Sequence, residues 1–184
     1  MLPLLGSLIS VYYFDTWRFA HDPFHAVIEA IGGVIAIIIV FLLYINEKES
    51  KTFGTKLVWI ISGLISMGIL DIIHASVLVG KSFVWFHSAA TFFGGVFFGL
   101  IWLPERICEK LQKLPIFIFC GTIIFTFTYL TFPNLIPDMV VNKEFTLLAE
   151  SLNIIGGLGF IASCAYFIKN FIKHNYNDDA LLDV

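Results

Sequence analysis

The stretch FHAVIEAIGG, residues 24–33, begins a long apolar run and carries His25 and Glu29 one helical turn apart. After Glu29 no acidic residue, lysine, arginine or histidine occurs as far as Ile45. At about 1.5 Å per residue, this run is long enough to cross a hydrocarbon layer of about 30 Å. We therefore predict a transmembrane helix. Because ionisable groups are costly inside lipid, the pair at its start also predicts a functional site.

The composition of the whole chain agrees with a membrane location. Of its 184 residues, 58% are hydrophobic and 14% are charged, and the mean hydropathy is +0.88. Soluble domains have an apolar share nearer one half. We therefore expect an all-α integral membrane protein whose immediate partner is the lipid bilayer. No dense cluster of lysine and arginine occurs, so we expect no nucleic-acid partner. Cys108, Cys120 and Cys164 show no paired spacing and are interpreted as packing residues.

Five apolar segments of spanning length predict a bundle of five transmembrane helices. They cover residues 23–46, 56–79, 83–103, 115–132 and 144–168. The chain then divides into an outer-face segment 1–22, a transmembrane bundle 23–173 and a cytoplasmic tail 174–184. Eight lysine and arginine residues fall in the predicted inner loops and tail, against three on the other side. This asymmetry predicts a multi-pass protein of the cell (inner) membrane, with its N-terminus outside and its C-terminus in the cytoplasm.

Glycine pairs recur at residues 32–33, 94–95 and 156–157, a spacing of 62 residues each time. One interpretation is three helical hairpins in series, the last one truncated, with its return helix beginning near residue 179. The chain would then be a fragment of a longer protein. The alternative is that glycine pairs simply allow helices to pack closely in lipid.

Six ionisable residues from four of the predicted helices fall in the outer third of the bilayer. Histidine and carboxylate side chains one turn apart commonly converge on a metal in helical bundles. We predict an outward-facing metal site that holds zinc, iron, manganese or copper. Haem is a weaker alternative, and any one of these residues alone would more commonly be a polar contact between helices. The candidate ligands are His25, Glu29, Asp71, His74, His87 and Glu150.

The motifs FHxxxE from Phe24, GILDIIHA at residues 68–75, FVWFHSAATFFGG at 83–95 and WLPER at 102–106 form a recognisable series. Over residues 20–106 the chain resembles bacterial membrane-associated sensor domains of the MASE type. Such domains lie at the N-terminus of histidine kinases and diguanylate cyclases. The resemblance implies a multi-span input module that relays a stimulus to a cytoplasmic kinase or cyclase output. No such output segment is present in these 184 residues.

These observations lead to three hypotheses for function. The first is a sensory input module, which we expect to be a homodimer, that binds a metal ion or a metal-borne small ligand from the outer side. The second is an integral-membrane metal-dependent hydrolase that uses a metal-activated water. The third is a haem-binding protein or a proton or ion pathway. The sequence leaves open whether the chain catalyses a reaction.

Overall fold

The computed structural model describes the backbone of residues 22–50 and 55–179, and the side chains of residues 25–45 and 55–173. Within these ranges the fold is almost entirely helical. Two 3₁₀ turns, at Leu100–Trp102 and Pro133–Leu135, and a two-stranded hairpin connect the helices. The helices are α1 (Asp22–Ser50), α2 (Leu57–Ser76), α3 (Lys81–Gly99), α4 (Glu105–Lys110), α5 (Leu114–Thr131) and α6 (Leu147–Asp179).

Five of these helices are long and apolar enough to cross a membrane, and they correspond in order to the five predicted segments. The last helix differs, because α6 runs to Asp179 and passes the expected end at residue 168. Neither glycine nor proline occurs between Phe160 and Asp179, so no residue there favours a helix end. The segment 174–179 is therefore part of α6. The expected outer-face segment, apart from its last residue Asp22, and residues 180–184 of the tail lie outside the described residues.

Helix α2 is the centre of the bundle. It packs against α1, α3 and α5, and α6 covers the other side of α3. The most apolar part of α2 is 72% buried, against 11% for the corresponding parts of α1, α5 and α6. Those three helices present isoleucine, leucine and phenylalanine side chains on the outside of the bundle. Such surfaces are expected of helices that face lipid.

Glycines bring the helix backbones close together at two crossings. A Cβ atom added at Gly33 would lie 2.6 Å from the carbonyl oxygen of Gly68, where α1 crosses α2. At the crossing of α3 and α6, a Cβ at Gly95 or Gly156 would collide with the facing backbone. One member of the first pair and one of the third make no such contact, since Gly32 and Gly157 have open space around them. The pairs thus mark close helix packing.

A short β-hairpin precedes α6, in a region that the sequence analysis treated as a loop up to residue 143. Strands β1 (Val140–Val141) and β2 (Glu144–Phe145) pair antiparallel. The two turn residues, Asn142 and Lys143, both have positive φ angles of 53° and 69°. Positive φ at both positions is the geometry of the turn that suits two-residue hairpins, and asparagine tolerates it well. The short helix α4 likewise lies in a stretch that was expected to be a loop.

The glycine contacts predict unequal effects of alanine at two adjacent positions. Gly156→Ala places a methyl group against the backbone of Thr91 and Phe92, so α3 and α6 must separate. We expect a loss of roughly 1–3 kcal/mol of stability, as for other overpacked positions. Gly157→Ala is the matched control and should leave the melting temperature in mild detergent unchanged. Equal melting temperatures for the two variants would contradict the packing role.

Candidate metal centre

Three helices bring their ionisable residues together at one end of the bundle, where α1 and α3 begin and α2 ends. We call this the site end. His25 and Glu29 lie on the first turns of α1, His74 lies on the last turn of α2, and His87 lies on the second turn of α3. Helices α1 and α3 run in the same direction, and α2 runs back between them. The start of α1, the end of α2 and the start of α3 therefore lie at the same end of the bundle, as the order of the helices in the sequence already predicts.

Glu29 is the common neighbour of all three histidines. Its Oε1 atom lies 3.2 Å from His25 Nε2 and 3.5 Å from His87 Nδ1, and its Oε2 atom lies 2.5 Å from His74 Nε2. The Glu29 side chain is 17% exposed, whereas those of His25 and His87 are about half exposed. The Glu29 carboxylate therefore lies mostly inside the bundle, while two of its three neighbouring histidines, His25 and His87, reach the surface.

His74 is fully buried, and its ring is held by the backbone of α3. Its Nδ1 atom lies 2.7 Å from the carbonyl oxygen of Phe83. A carbonyl oxygen can only accept, so Nδ1 must carry the proton of this hydrogen bond. In the neutral ring the lone pair is then on Nε2, the atom that faces Glu29. This is how metal-binding histidines are usually oriented, with one ring nitrogen donating to a carbonyl and the other free for the metal.

The contact between His74 and Glu29 lacks the geometry of a hydrogen bond. Although His74 Nε2 and Glu29 Oε2 are 2.5 Å apart, neither atom has a hydrogen-bond partner among the described residues. A neutral His74 would point its Nε2 lone pair at a carboxylate oxygen, which is repulsive. A proton on Nε2 would remove this repulsion, and so would a metal ion bound to both atoms once they had moved to about 3.3 Å apart. The donor set therefore fits a bound cation.

His25, Glu29 and His74 could hold a metal ion together. Each offers one ligand atom, and these atoms all lie within 4.8 Å of one another. Ligands about 2.0–2.1 Å from a tetrahedral ion are separated by about 3.3 Å, so small side-chain movements would close the group around zinc. His87 lies next to the group, with its ring centroid 5.0 Å from that of His74. It could supply a fourth ligand after a change of rotamer.

The two remaining candidate ligands, Asp71 and Glu150, lie outside the group of His25, Glu29 and His74. Asp71 is half-buried, belongs to no ligand group among the described residues, and lies close enough to Glu29 for their charges to repel. Three residues of α-helix correspond to a rotation of about 300°, so Asp71 and His74 point roughly 60° apart. Glu150, on the first turn of α6, is exposed and lines a cavity that His25, His74 and His87 also line.

This cavity, which we call the site cavity, has a volume of about 760 Å³. Its polar wall includes a hydrogen-bonded pair that the sequence did not predict, in which the half-buried Asn153 donates from Nδ2 to the buried Ser88 Oγ at 3.0 Å. Serine and asparagine on apolar helices carry no spacing signal of their own. The Phe83 carbonyl could not be found from sequence either, because every residue has one. The lining residues are His25, His74, Phe83, Val84, His87, Ser88, Phe145, Glu150, Asn153 and Ile154.

The chain has no match in the comparisons with known proteins. The search with protein-family models gives none, and neither do the searches of curated proteins and of solved structures.

Proposed function

We propose that this protein is a membrane-embedded sensory input module that binds a divalent transition metal at its site end. The observation that carries the proposal is the convergence of three histidines from three helices on Glu29. The proposed metal ligands are His25, Glu29 and His74, with His87 as the fourth ligand. Zinc, iron, manganese and copper all accept imidazole and carboxylate ligands, and zinc serves as the test ion.

A sensing role is favoured by where the ligands come from. They lie on three separate helices, so a bound ion would favour one relative position of α1, α2 and α3. A ligand shifts a conformational equilibrium only by binding one arrangement better than another, and ligands on separate helices provide that difference. The resemblance of residues 20–106 to MASE-type sensor domains supports the same role. On this proposal the site end faces outward and the opposite end faces a cytoplasmic output.

Metal binding should depend on the Glu29 carboxylate. Glu29→Gln keeps the size of the side chain but removes its charge, so we expect zinc affinity to fall at least 10-fold. Glu144→Gln is the matched control, because Glu144 is exposed on the hairpin and lies outside the ligand group. Isothermal titration of metal-free protein with zinc chloride, checked by elemental analysis, measures both variants. Wild-type protein that binds no zinc, iron, manganese or copper would refute the metal site.

Sensing predicts that zinc alters the opposite end of the bundle. We expect zinc to change amide hydrogen exchange in residues 104–114, which include α4, by at least twofold in wild-type protein. The same addition should have no effect on Glu29→Gln. Hydrogen-exchange mass spectrometry in detergent measures both. If zinc binds and exchange in 104–114 stays constant, the sensing role fails and the metal site stands.

A membrane metallohydrolase is the second candidate, and the site cavity is the observation that favours it. A space of about 760 Å³ next to three histidines could admit a substrate to a metal-activated water. Glu29 or Asp71 would then be the general base. Turnover of an ester-linked or phosphoester lipid by the 184-residue chain, abolished by chelation and by Glu29→Gln, would favour the hydrolase over the sensor.

A further inference from the structure

We propose that the site cavity binds a small organic cation, with its ammonium group at Glu150 and its apolar part against Phe145 and Ile154. Glu150 lies outside the group of His25, Glu29 and His74, although His25, His74 and His87 also line the cavity, and the proposal does not require a bound metal. Three features of the cavity wall lead to this inference: an unneutralised carboxylate, a set of hydrogen-bond groups that mostly accept, and an aromatic surface.

The charge of Glu150 is not neutralised by any described side chain. The ion pairs among described residues join Glu29 to the three histidines and Lys81 to Asp138, and none includes Glu150. Lys81, at the start of α3, is already paired with Asp138 at 3.1 Å. A carboxylate on a cavity wall without a cationic partner favours a positively charged ligand.

The hydrogen bonds beside Glu150 leave acceptors free. Asn153 uses its Nδ2 group twice, donating to Ser88 Oγ and to the Ala149 carbonyl oxygen. Both N–H bonds of that amide are therefore used, and its Oδ1 atom has no donor among the described hydrogen bonds. Glu150 and Asn153 together offer carboxylate and carbonyl oxygens, which suit the several N–H bonds of an ammonium group.

The remaining wall suits an apolar or aromatic ligand body. Phe83, Val84, Phe145 and Ile154 line it, and the faces of aromatic rings attract cations. A mostly apolar cavity of several hundred Å³ with a few polar groups is typical of small-molecule sites. The ammonium group could come from a free amine or from an aminophospholipid headgroup, which share this chemistry.

The test compares a cationic probe with a neutral one of the same shape. In maltoside detergent, we expect 2-phenylethylamine to bind wild-type protein at least 10-fold more tightly than 2-phenylethanol, by isothermal titration calorimetry. Glu150→Gln should reduce this preference to less than twofold, and Glu144→Gln, whose carboxylate is outside the cavity, should keep it. Zinc affinity should be the same in all three proteins, so failure here leaves the metal site unaffected.

Two further measurements complete the test. Phe145→Leu changes an exposed side chain and should weaken amine binding at least threefold, so it provides a second variant if Glu150→Gln unfolds. In nanodiscs, phosphatidylethanolamine in place of phosphatidylglycerol should weaken amine binding if the lipid headgroup is the natural ligand, whereas equal binding supports a free amine. No preference for the amine in wild-type protein, or the same preference in Glu150→Gln, would overturn the proposal.

Discussion

The Glu29 carboxylate is the constraint on which the site end depends. It lies largely inside a bundle of mostly apolar helices, and an unpaired buried charge of this kind is costly. Three imidazole rings, one each from α1, α2 and α3, surround it and would compensate its charge when they are protonated or hold a metal ion. Any arrangement of α1, α2 and α3 that moved these rings away would leave the carboxylate alone in low dielectric. Glu29 therefore restricts how the three helices can be placed.

The sequence was sufficient to predict the five long helices and their order, because five apolar runs of spanning length leave few alternatives. It also predicted that His25, Glu29 and His74 lie at one depth, since α2 runs antiparallel to α1. It could not predict that Asp71 falls outside the ligand group of the described residues, because the axial rotation of α2 decides which of two side chains about 60° apart faces that group. The true axial rotation of α2 depends on its packing against α1, α3 and α5.

Local chemistry that depends on backbone groups was also beyond sequence reasoning. The carbonyl oxygen of Phe83 fixes the tautomer of His74, although nothing about phenylalanine indicates such a role. Similarly, the hairpin at residues 140–145 places Phe145 at the site cavity through a two-residue turn that a loop prediction overlooks. The glycine pairs were visible as a repeat, but only coordinates distinguish Gly156, which contacts α3, from Gly157, which does not.

The glycine contacts hold particular pairs of helices close together around the proposed site. Gly33 against Gly68 holds α1 close to α2, and Gly95 against Gly156 holds α3 close to α6, so the bundle contains two tight helix pairs. The three-residue ligand group lies entirely within the first pair, whereas His87 belongs to the second. A metal ion that recruited His87 to the group through a change of rotamer would therefore link the two pairs at the site end. Because helices are stiff, any shift of α3 that accompanied this change would also reach its opposite end, next to α4.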